Sequence, residues 1–195
     1  MLALLLIGGS AEIASGWQQS RSTPANITPA PVPFGDGERA EYQVKLGGIS
    51  VGSGSMEVLG TEMVRGHLTY HAQLRVSGGL PLMRVDDRFE SWFDVAGLFS
   101  RRFKQNQREL HFRRNRTYEF YPEERRYERL DSDDRGSLST DKPLDDVSIL
   151  YYARTLPLEV GGRYVLNQYY KEDGNPVVLE VLRRETVEVP AGTFN

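Results

Sequence analysis

Between Leu68 and Val76 the chain alternates without a break: Leu68, Tyr70, Ala72, Leu74 and Val76 are apolar, and Thr69, His71, Gln73 and Arg75 between them are polar. A period of two sends successive side chains to opposite faces, so this segment is a strand with one buried face. The same beat starts the domain, where Ala40, Tyr42, Val44 and Leu46 alternate with Arg39, Glu41, Gln43 and Lys45. Gly47 and Gly48 then turn the chain, and Ile49, Val51, Met56 and Val58 resume it as the second arm of a hairpin. Further strand-like runs cover 84–95, 98–107, 110–121, 125–130, 164–171 and 177–189, separated by Gly97, Pro122, the Asp131 to Gly136 cluster and Asp173-Gly174-Asn175. The expectation is an all-β fold of eight or nine strands: a curved antiparallel sheet, barrel or half-barrel like, with a two-layer β-sandwich as the alternative. One short helix is expected over 146–156. Asp145 or Asp146 serves as its N-cap, Val147, Leu150, Tyr151 and Arg154 fall at helical spacing, and Pro157 stops it.

With 195 residues, 39% of them hydrophobic, the chain has the apolar content for one core. It contains no cysteine, which excludes disulfides, thiolate metal sites, a cysteine nucleophile and a lipid-modified N-terminal cysteine. A net charge of −3 gives no global attraction to nucleic acid, so no nucleic-acid partner is expected. Met1 to Ile7 form an apolar run too short to span a bilayer, followed by Gly8, Gly9, Ser10 and Ala11. Residues 1–16 therefore read as a secretory signal, cleaved after Ala11 or Gly16, although the usual basic start is missing; an uncleaved anchor is the alternative. A Pro/Ser/Thr-rich linker over 17–37 precedes the all-β domain at 38–195, and no segment of the mature chain is expected to cross a membrane. At the far end Val189-Pro190-Ala191-Gly192-Thr193-Phe194-Asn195 makes a turn and starts another strand. That leads us to expect a domain truncated at its C-terminus, because an unpaired edge is normally covered.

Three spaced motifs agree with a known family. Gly37-Glu38, Tyr42-Gln43-Val44 and Gly48-Ile49-Ser50-Val51-Gly52 form the first. The second runs from Asp146 to Arg154 with Leu156-Pro157-Leu158 and Gly161, and the third joins Glu185 to Val187, Val189 and the Pro190 to Phe194 turn. From Gly37 to Asn195 the chain resembles the bacterial domain of unknown function 3108 family. The resemblance implies a periplasmic or envelope-associated β-rich domain whose members continue past the Ala-Gly-Thr-Phe turn. It carries no catalytic residues with it.

The candidate sites are few. Gly48-Ile49-Ser50-Val51-Gly52 matches the Gly-x-Ser-x-Gly form of a nucleophile elbow, but it lies between β runs with no helix after it, so a glycine-rich hairpin is the better reading. His67 and His71 are spaced for a metal only on a helix; on a strand they stand about 13 Å apart, as polar positions of a solvated face. No metal, cofactor or catalytic centre is expected, with Ser50 and His71 the residues that a hydrolase reading would need. Asp86-Asp87 and Asp133-Asp134 are adjacent pairs that strands would point apart. The aromatic set Tyr70, Phe89, Trp92, Phe93, Tyr151 and Tyr152 either lines a ligand cavity or fills the core. The basic run Arg101, Arg102, Lys104, Arg108, Arg113, Arg114 and Arg116 either docks an anionic partner or pairs across strands with Glu119, Glu123, Glu124 and Glu128. These features lead to a non-catalytic periplasmic binding or envelope-assembly module for a hydrophobic or amphipathic component, such as lipid. A structural protein-interaction domain comes second and a hydrolase third.

Overall fold

The computed structural model describes residues 32–80, 83–109 and 112–194; the apolar leader, most of the linker and His111 lie outside the described residues. One antiparallel sheet dominates. Its strands are β1 (Arg39–Leu46), β2 (Ile49–Val64), β3 (His67–Leu80), β4 (Met83–Asp94), β5 (Ser100–Glu109), β6 (Phe112–Tyr121), β7 (Arg126–Arg129) and β8 (Arg135–Ser137), hydrogen-bonded in chain order. The sheet curves without closing, so the fold is the half-barrel and not the sandwich. Bulges at Val44/Lys45, Val58/Gly60 and Trp92/Phe93 supply part of the curvature, since each adds one residue to one side of a ladder.

The expected strands over 164–171 and 177–189 are shorter than their composition suggested. β9 (Arg163–Leu166) pairs with β10 (Val177–Glu180), and β11 (Val187–Val189) with β12 (Gly192–Phe194), as separate hairpins. The first ends where Leu144 bridges Tyr169, so 168–170 bonds to the covering segment instead of to a strand partner. The helix α1 (Ser148–Ala153) is also shorter than 146–156.

The N-cap of α1 is Val147 and not Asp145 or Asp146, because the helix starts later than its spacing suggested. Asp145 instead holds the turn before it, accepting from the backbone N–H groups of Val147 (2.8 Å) and Ser148 (2.9 Å). Its other carboxylate oxygen accepts from Ser91 Oγ of β4 at 2.6 Å, and its own N–H donates to Ser100 Oγ of β5 at 3.0 Å. These buried bonds fasten α1 across the concave face. Beneath it lies the core: Phe93, Phe103, Phe120, Val147 and Tyr151, with Ala72, Val58 and Tyr170. Val32 and Phe34, from the stretch whose composition makes a linker, pack on this cluster, and the Phe34 ring meets Tyr151 edge-on at 4.9 Å.

Away from α1 the β2–β3 ladder narrows at a glycine pair, Gly52 opposite Gly78. A Cβ on Gly78 would sit 2.4 Å from both Gly52 Cα and Val51 O, at φ +147° where side chains are strained in any case. The variant Gly78→Ala is expected to lose about 1–3 kcal/mol of stability, as overpacked sites do. Amide hydrogen exchange should show the loss confined to the ends of β2 and β3, with β4 to β6 still protected; uniform deprotection would contradict this local account.

Candidate functional site

Register divides every strand of the sheet between two faces. On the concave face stand Tyr70, Ala72, Leu74 and Val76 of β3, opposite Phe93, Ser91, Phe89 and Asp87 of β4. Phe103, Gln105 and Gln107 of β5 continue the rows, opposite Tyr118, Arg116 and Arg114 of β6. On the convex face His71 lies opposite Trp92, and Trp92 opposite Arg102.

The aromatic set is thereby split. Tyr70, Phe89, Phe93 and Tyr151 are core: Phe93 stacks on Tyr151 at 5.5 Å and Phe89 on Phe103 at 6.4 Å. Tyr152 is half-buried against the same cluster. Burial pushes the Tyr151 hydroxyl up to about 12. Trp92 faces the other way, donating from Nε1 to Glu62 at 2.8 Å and stacking on His71 at 4.1 Å. The same hydrogen bond, ahead of the nearby His71, holds the Glu62 carboxyl below the usual carboxylate range.

His71 is not on an open solvated face. Its side chain is 12% exposed, with Glu62 at 2.9 Å from Nδ1 and Glu90 at 3.4 Å from Nε2. The structure keeps Ser50 and His71 apart: Ser50 precedes the Gly52–Gly78 pair, and Gly78 is seven residues along β3 from His71, roughly 23 Å. Among the described residues no group of three or more His, Asp or Glu side chains fits a metal ion, and no helix is long and apolar enough to cross a membrane.

The basic run also divides. Arg101 is buried, its Nε 3.0 Å from Asp94 and its Nη2 2.9 Å from Glu123. That hydrogen bond is the largest cause of the lowered Glu123 pKa. Exchanging Arg101 for methionine should therefore raise the pH at which Glu123 titrates, read from its side-chain carbon shifts by NMR; an unmoved titration would contradict the assignment. Arg102 pairs with Glu119 and lies over the Trp92 ring at 5.6 Å. At this end of the sheet, cross-strand pairing is what the arginines do. At the other end it is not: among the described residues no acidic side chain pairs with Arg113, Arg114 or Arg116. Arg113 points out beside Arg108, whereas Arg114 and Arg116 point into the concavity, Arg114 Nη1 donating to Gln107 at 3.3 Å.

Inside, the surface beyond α1 forms a strip. Met56, Leu74, Val76 and Val85 are half-buried along its floor, Tyr42 and Val44 stand 51% and 39% exposed on the β1 side, and Gly52, Gly54 and Gly78 leave the floor without side chains. The opposite wall is polar: Gln105 and Gln107 are buried, and Arg114 and Arg116 flank them. Asp87 on the same face is already held, accepting from Gln107 Nε2 and from the Arg108 N–H, and Glu109 lies at the far end of the row. Of these residues the sequence marks Arg114 and Arg116 as candidates for an anionic partner, whereas Tyr42, Val44, Met56, Val76 and Val85 read there only as strand positions. Their signal was the alternation of Tyr42 and Val44 past the point where the core ends, together with the concave-side glycines.

A family model described as a protein of unknown function (DUF3108) matches residues 41–195. No curated protein and no solved structure matches the chain.

Proposed function

The chain belongs to the DUF3108 family, described as of unknown function, and we propose that it is a non-catalytic binding module of the bacterial envelope for an amphipathic, acidic component. One observation carries this reading: an apolar strip, exposed at Tyr42 and Val44, half-buried at Leu74 and Val76 and floored by glycine, runs beside two concave-face arginines that pair with no acid among the described residues. Apolar surface gains by leaving water, and a guanidinium on the facing wall pairs an anionic group in two-pronged geometry, so an acyl chain with an acidic head satisfies both walls. The core is filled by the protein's own rings, and the ligand therefore lies in the open half of the concavity and not among Phe89, Phe93 and Tyr151. Export to the periplasm belongs to the same proposal and rests on the apolar run at Met1 to Ile7.

The test is mass spectrometry of lipid extracts from the natively purified full-length protein and from Val76→Asp. An acidic amphiphile is expected with the wild type and is expected to be lost from the variant, whose new charge desolvates on contact with a chain. Identical extracts from the two would remove the strip as the site. A protein-interaction module is the second reading, favoured by the filled core and by β1, which lies at one end of the sheet order. It predicts extracts without ligand and a protein partner whose capture depends on β1.

A further inference from the structure

The convex face of the same sheet carries a second feature, built on a different set of arginines. Arg75 of β3 lies directly opposite Arg88 of β4, and Arg108 of β5 directly opposite Arg113 of β6. Arg84 shares the outward row of β4 with Asp86 and Arg88. All five guanidinium-bearing residues are exposed. Like charges directly opposite on adjacent strands oppose pairing, so the fold carries two unfavourable cross-strand pairs here.

Little acid compensates them. Asp86 reaches Arg75 at 3.3 Å, and the buried Glu90, which also faces His71 and Lys104, reaches Arg88 at 3.0 Å. Among the described residues no acid lies within ion-pair distance of Arg84, Arg108 or Arg113, although Asp86 of β4 stands directly opposite Arg108 of β5. The face is basic although the chain as a whole carries a net charge of −3.

The surface between these residues is concave. A cleft of ≈ 600 Å³ lies among Arg75, Ser77, Arg84 and Asp86 together with Gly78, Gly79 and Val85 near the edge of the sheet face, and one of ≈ 180 Å³ shares Arg75 and Asp86 with it and adds Arg88, Asn106 and Arg108. The larger is within the range of small-molecule sites. Arg84 and Arg88 are four residues apart on one strand, about 13 Å between Cα atoms, and Arg84 lines the larger cleft while Arg88 lines the smaller.

We propose that this convex face binds a ligand bearing two phosphate groups on the order of 10 Å apart, one held at Arg84 and the other among Arg75, Arg88 and Arg108, the spacing set by the strand rise. Phosphate is favoured over a single carboxylate because more than one arginine lines each cleft, Arg75 and Arg84 the larger and Arg75, Arg88 and Arg108 the smaller, and a doubly charged group with three free oxygens can engage more than one. The polar Ser77 and Asn106 line the clefts between the arginines, where hydroxyl groups of a sugar-sized spacer find donors and acceptors.

Isothermal titration of the full chain with fructose 1,6-bisphosphate, a soluble molecule with two separated phosphates, tests this against orthophosphate. The bisphosphate is expected to bind more tightly by about tenfold or more, to weaken with added salt, and to lose about tenfold or more in the Arg88→Gln/Arg108→Gln double variant. The concave-face variant Arg114→Gln/Arg116→Gln is expected to leave it unchanged, which separates this site from the strip. Equal affinity for the two probes, or full binding by the Arg88/Arg108 variant, would overturn the proposal. Cosedimentation with phosphatidylcholine vesicles containing phosphatidylinositol 4-phosphate then identifies the source of the phosphates. Binding to both probes assigns a lipid headgroup, and binding to the sugar alone assigns a soluble ligand. Binding to charged vesicles alone would mean a diffuse electrostatic contact and would refute the built site.

Discussion

Phe93→Ala is expected to lower the stability of the domain by about 3–5 kcal/mol, the range for removing a buried aromatic ring. Phe93 is fully buried, and its ring meets Phe34, Tyr70 and Tyr151 at centroid distances of 6.1, 5.4 and 5.5 Å, so its loss opens a void with three neighbours on its wall. Urea unfolding followed by tryptophan fluorescence measures the change, with Tyr42→Ala as its counterpart. Tyr42 is 51% exposed, and its removal is expected to cost less than about 1 kcal/mol while weakening ligand binding. If Phe93→Ala were nearly neutral in stability, the ring cluster would be lining a ligand space and the division of the concave face drawn above would fail.

The second large effect is a dependence on pH. Asp145 is completely buried, and desolvation raises its pKa from 3.8 to about 6 against the opposing hydrogen bonds of Ser91, Ser148, Ser100 and Val147. Because the folded value lies above the unfolded one, the native state holds the proton more tightly. The associated stability is fully present below about pH 4 and is lost as pH rises to about 6, on the order of 3 kcal/mol over about two pKa units. Asp145→Asn keeps an acceptor oxygen for the Val147 and Ser148 N–H groups but does not titrate. The stability of the Asn variant relative to wild type is therefore expected to climb between pH 4 and pH 6 and to level off above. A flat difference across that window would mean that the carboxyl is not desolvated as described. Asp145→Ala, by contrast, is expected to be destabilising at every pH, since it leaves Ser91 Oγ and two backbone N–H groups without their acceptor.

Much of this was legible in the sequence, and parity explains both what could be read and what was overlooked. The alternation from Tyr70 to Val76 appears as β3 with its apolar row inward, whereas Leu68 stands 49% exposed beside the fully buried Thr69. Gly47 and Gly48 turn the first hairpin, and Asp145 holds the turn that leads into the helix. The same period of two already separates Trp92 from Phe93 and Arg113 from Arg114, so the aromatic and basic sets were each two half-sets on opposite faces. Other features are not written in any local pattern. The Trp92/Phe93 bulge places Arg101 beside Asp94, and Glu62 reaches His71 and Trp92 from the neighbouring strand, so the burial of both follows from strand order and curvature. The failure of 164–171 and 177–189 to form long strands has the same origin. Their composition is strand-like, but no sheet edge is placed beside their full length, and tertiary partners decide β structure more than propensity does.

The claim that the open concavity is a binding surface can be tested on the folded protein by NMR, following methyl groups during titration with dodecyl phosphate below its micellar concentration. Shifts are expected at Met56, Leu74, Val76 and Val85 and at the Arg114 and Arg116 side chains, with Val58 and Val147 of the core unmoved. Shifts confined to core methyls, or no shifts on the concave face at concentrations that saturate the convex arginines, would contradict it.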